Sequence, residues 1–69
     1  MTVATRLKET MAALKGARAS LDIYRQQERN TRELDQLNRA VLELRNIMQD
    51  LDRRIKSVEF EEPQYKGKQ

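Results

Sequence analysis

From Leu34 to Val58 the apolar residues of this chain recur at alternating steps of three and four: Leu34, Leu37, Val41, Leu44, Met48, Leu51, Ile55 and Val58. An α-helix turns once every 3.6 residues, so this spacing lays all eight on one narrow stripe. A β-strand needs period two, which the segment does not supply. The stripe is two rows wide, the width of a coiled-coil seam and not of a helix sunk in a large core. It predicts a long helix that meets another helix along its whole length.

The first half carries a weaker version of the same rhythm. Val3, Leu7, Thr10, Leu14, Ala17, Leu21 and Tyr24 form the expected seam, and Met11 and Ile23 widen it. Thr10 and Ala17 are small and add little. The rhythm breaks near Arg29-Asn30-Thr31. Asn30 can cap a following helix by accepting from the backbone of Arg32 or Glu33. Glu33 stands where a capping box places an acid, and Asp35 adds negative charge to the first turn. Thr2 can cap the first helix. Pro63 lacks a backbone donor and disfavours a helical Glu62. These signals predict helices over 3–28 and 31–60, a turn at 29–31, and an extended tail over 61–69.

A connection this short makes the two helices antiparallel. The predicted fold is therefore all-α, an antiparallel two-helix hairpin over 1–60. A hairpin has one contact line and no enclosed core, which leaves Met11, Ile23, Ala40, Leu42 and Ile47 partly wet. In 69 residues without a cysteine, neither a disulfide nor a larger core can compensate. The expected remedy is a homodimer, two hairpins forming a four-helix bundle. Gly16, amid Ala12, Ala13, Ala17 and Ala19, reads in two ways: a tolerated glycine, or a place where a second helix approaches closely.

The composition excludes much chemistry. With no Cys and no His there is no thiol or Ser-His nucleophile and no Cys- or His-based zinc site. Paired carboxylates such as Asp50 with Asp52, or Glu61 with Glu62, read as ordinary helix-surface charge. No enzymatic activity, cofactor, metal or small-molecule substrate is expected. Fourteen Lys and Arg against eleven Asp and Glu give +3, and the excess lies in the first half: Arg6, Lys8, Lys15, Arg18, Arg25 and Arg29. Glu9, Asp22 and Glu28 interrupt that row, so it reads first as a solvated helix face. Peripheral binding to an anionic membrane or polyanion is the secondary reading, with nucleic acid disfavoured. No apolar run reaches the roughly 18 residues of a membrane span. No charged start precedes an apolar stretch, so a soluble cytoplasmic protein is expected.

Two resemblances add to this. Thr31-Arg32-Glu33-Leu34-Asp35 resembles the Ser-x-Glu-Leu-Asp element of the small helical-hairpin phosphatases of the sporulation response regulator. That likeness implies that Glu33 and Asp35 face a partner's phosphoaspartate, with Thr31 in place of Ser. A capped helix start followed by seam leucines accounts for the same residues. The longer resemblance runs through Met1-Thr2-Val3, Leu7 to Ala17, then Ala19, Leu21, Tyr24, Gln27, Asn30, Asp50 to Ile55, and Glu59 to Gly67. Over these the chain resembles the domain-of-unknown-function family 1657, short helical proteins of endospore-forming Firmicutes. The resemblance implies a non-enzymatic helical protein in a sporulating cell, forespore or spore, with a spore-membrane-associated protein as a partner. Residues 31–49 depart from it, being richer in Leu and Arg.

The C-terminal segment also has two readings. Phe60 and Tyr65 can fold back on the end of the bundle. Alternatively Phe60, Glu61, Glu62, Pro63 and Tyr65 form a recognition peptide, in which Tyr65 offers contact area and Pro63 lowers the cost of ordering.

Overall fold

The computed structural model describes the backbone of residues 2–66 and the side chains of residues 2–61. Its described residues form two helices, α1 (Val3–Gln27) and α2 (Thr31–Lys66), packed as an antiparallel hairpin. The molecule measures 57 × 16 × 10 Å, a ribbon two helices wide and one helix thick.

Both helix starts are capped as their sequences predict. Thr2 Oγ1 accepts from the Thr5 amide at 3.1 Å, and Asn30 Oδ1 accepts from the Glu33 amide at 3.1 Å. The reciprocal half of the second cap comes from the other direction. Glu28 Oε1 accepts from the amides of both Arg29 (3.0 Å) and Asn30 (2.9 Å). Glu28 itself is extended, at φ −79° and ψ 134°, and its amide closes α1 on the Tyr24 carbonyl at 2.9 Å. One carboxylate and one amide side chain thus hold the turn, with no residue at positive φ among those described.

All eight seam residues of α2 lie on its shielded side, with Val41 and Ile55 each only 5% exposed. The seam of α1 departs from expectation by one row. Leu7, Leu14 and Leu21 are shielded as expected, but the second row is Ala4, Met11, Arg18 and Arg25. Val3, Thr10, Ala17 and Tyr24 are exposed. Two forces favour this rotation. Met11 buries more apolar surface than Thr10. Turning α1 this way also brings Lys8 onto Glu59 across the helices, where they form an ion pair. Arg18 and Arg25 can occupy the row because their stems lie along the seam while the guanidinium heads reach its edge.

Gly16 is exposed, and a Cβ built on it would meet nothing within 4 Å. Within the hairpin no helix approaches closely there, and the tolerated-glycine reading holds.

The largest difference lies at the C-terminus. α2 does not stop at residue 60; it continues through Pro63 to Lys66, so residues 61–66 are helical and not extended. Proline's fixed φ is close to the helical value, and its cost is a missing hydrogen bond and a local clash. Propagating an existing helix is cheap compared with starting one. Residues 67–69 of the expected tail lie outside the described residues.

Candidate functional site

The seam rows define two flanks of the ribbon. Residues that follow the leucine row of α1 are Lys8, Lys15 and Asp22; their counterparts on α2 are Asn38, Arg45, Asp52 and Glu59. These share one flank, because Lys8 pairs with Glu59 and because Lys15 and Asp52 line the same open groove. Residues that precede the other row are Val3, Thr10, Ala17 and Tyr24 on α1, and Glu33, Ala40, Ile47 and Arg54 on α2. In an antiparallel pair these fall together on the opposite flank.

The first flank is charged and largely satisfied from within. Besides Lys8 and Glu59, Lys56 pairs with Asp52 at 3.0 Å and Arg25 with Asp22 at 2.9 Å. Nearer the turn, Arg18, Arg25, Asn38 and Arg45 line a shallow groove over Val41 and Leu42. The Nε of Arg25 is buried there without a hydrogen-bond partner, while its Nη1 reaches Asp22. The basic row expected on α1 is therefore not a continuous stripe. Lys8 and Arg25 are engaged by acids, and Arg18 is drawn into the seam.

The second flank is nearly uncharged except at its ends. Val3, Tyr24 and Ile47 are each more than half exposed, as are Ile23 and Leu42 elsewhere on the surface. Of the residues expected to stay partly wet, Met11 has moved into the seam and Ala40 is half-buried.

The other candidate residues separate. Glu33 and Asp35 are both exposed near the start of α2. Two residues apart on a helix they project to different sides, and Asp35 lines a groove with Thr31, Arg32, Gln36 and Arg39 that Glu33 does not line. The structure does not bring the two carboxylates together. Asp50 and Asp52 are occupied by Arg53 (3.3 Å) and Lys56 respectively. Phe60 is 77% exposed and does not fold back on the hairpin; Glu61 is exposed as well. The side chains of Glu62, Pro63 and Tyr65 lie outside the described residues.

Among the described residues, no His, Cys, Asp or Glu group of three or more gathers as a metal site would require. No helix there is long and apolar enough to cross a membrane.

Sequence reasoning missed the Arg18–Arg25 row and the double role of Glu28. A signal for the first lies in the spacing of charges: with Met11 facing α2, Lys8 comes beside Glu59 and Lys15 beside Asp52, each pair opposite in sign.

No curated protein and no solved structure matches this chain. A family model does match, over residues 7–55, which takes in most of α1, the turn and the seam of α2 as far as Ile55. The chain belongs to the family described as protein of unknown function (DUF1657).

Proposed function

We propose that this protein is a non-enzymatic interaction module. It acts by packing helix faces against other helices, first against a second copy of itself to form a four-helix bundle. The observation that carries this reading is the apolar surface a single hairpin cannot cover. Val3, Ile23, Tyr24, Leu42, Ile47 and Phe60 are all more than half exposed, while among the described residues only Ala4, Val41 and Ile55 are buried. So thin a core is marginal for a chain of this size, and association supplies the missing burial.

The sporulating cell is the setting, on the strength of the family resemblance. A spore-membrane-associated protein is the further partner in that setting, with the Phe60 end of α2 left available to it. The phosphatase-like reading loses its main support once Glu33 and Asp35 face different sides.

Thermal unfolding followed by circular dichroism over a hundredfold range of protein concentration tests the proposal. Association makes the midpoint rise with concentration. A midpoint independent of concentration, with a cooperative transition, would mean the hairpin is stable alone and would count against it.

A further inference from the structure

The flank opposite the Lys8–Glu59 pair is complementary to itself. Building on the dimer reading above, we propose that a second copy docks on this flank, antiparallel, with α2 against α2 and α1 against α1. The twofold axis crosses α2 midway between Ala40 and Ile47.

Along α2 the flank reads Glu33, Ala40, Ile47, Arg54, at equal spacings of seven. Turning a second copy end over end sets Glu33 opposite Arg54 and Ala40 opposite Ile47. Acid meets base at both ends, and small meets large in the middle. Neither Glu33 nor Arg54 forms an ion pair among the described residues, so both charges are free for this use. A parallel arrangement would place Glu33 on Glu33 and Arg54 on Arg54, which like-charge repulsion opposes.

The first helix agrees independently. Arg18 shares grooves with Arg45 and Met48, and Arg25 shares one with Val41, so residues 18–25 lie beside 41–48. The axis that bisects Ala40 and Ile47 therefore passes α1 near residues 20–22. There it sets Ala17 opposite Tyr24 of the second copy, again small against large. A standard interface takes about 800 Å² per partner. That is a minor share of the 5797 Å² surface, and the copies overlap along about 26 residues of α2, roughly 39 Å, on a face 16 Å wide. The other broad face already engages Lys8, Asp22, Arg25, Asp52, Lys56 and Glu59 in internal pairs.

The chain has no cysteine, so single cysteines report contacts without background. Ala40→Cys and Ile47→Cys proteins are made separately, then mixed and mildly oxidised. The proposal expects a disulfide-linked dimer from the mixture and little from either protein alone. Identical positions would sit about seven residues, or roughly 10 Å, apart along the axis, beyond the reach of a disulfide. In parallel, Arg54→Glu should raise the dimer dissociation constant about tenfold, and adding Glu33→Arg should restore it. Rescue by the second substitution cannot be mistaken for a folding defect. A dimeric mass without mixed cross-linking or charge rescue would overturn this arrangement and leave self-association standing. A monomeric mass at every concentration would sink both.

Discussion

Replacing Gly16 with Ala should stabilise the protein. Gly16 lies near the middle of α1, has ordinary helical φ, and points into open space. The added methyl meets nothing, so no steric term opposes the gain in helix propensity and the loss of unfolded-state freedom. Those are worth about 1 kcal/mol. For a domain of this size that raises the melting midpoint by about 4–8 °C. Circular dichroism at 222 nm, at matched protein concentration, reads the shift directly. Light scattering should show no change in molar mass, because Gly16 is off the proposed docking flank. An unchanged or lowered midpoint would refute the reasoning, since it would mean the methyl collides with a helix that packs on that face.

Three further substitutions probe the turn, the seam and the charged flank. Asn30→Ala removes the cap of α2 and should cost about 1 kcal/mol in chemical denaturation; no loss would mean that Glu28 holds the turn alone. Ile55→Ala empties one of the three positions buried among the described residues and should cost about 2 kcal/mol or more, readable as a lower denaturant midpoint. Lys8→Ala breaks the exposed pair with Glu59 and should cost under about 1 kcal/mol, an effect that fades in 1 M salt.

Much of this fold was legible in the spacing of residues. The eight seam positions of α2 left no other periodicity to choose, and Thr2 and Asn30 marked both helix starts because few residue types can cap. The rotation of α1 was not legible from its leucines alone. Leu7, Leu14 and Leu21 fix one row only, and the second row could be Thr10 with Ala17 or Met11 with Arg18. Burial of Met11 and the Lys8–Glu59 pair across the hairpin both favour the second, and the partner of that charge lies in α2. The end of α2 differs from expectation because Pro63 signals a stop that the helix does not obey. Proline forbids a hydrogen bond, but its φ is helical, so an established helix can carry it. The proposed docking flank was legible only as a class of residue. Ile47 shows as wet from its spacing, whereas Tyr24 is expected in the seam and is instead exposed; their place on one flank follows from the rotation of α1.

The most direct test of the account is the molar mass of the intact protein in solution, by size-exclusion chromatography with light scattering across a range of concentrations. The account predicts a species of twice 8.2 kDa, dissociating only on dilution. A mass of 8.2 kDa throughout would contradict it, because the apolar flank would then stand open to water in the stable protein.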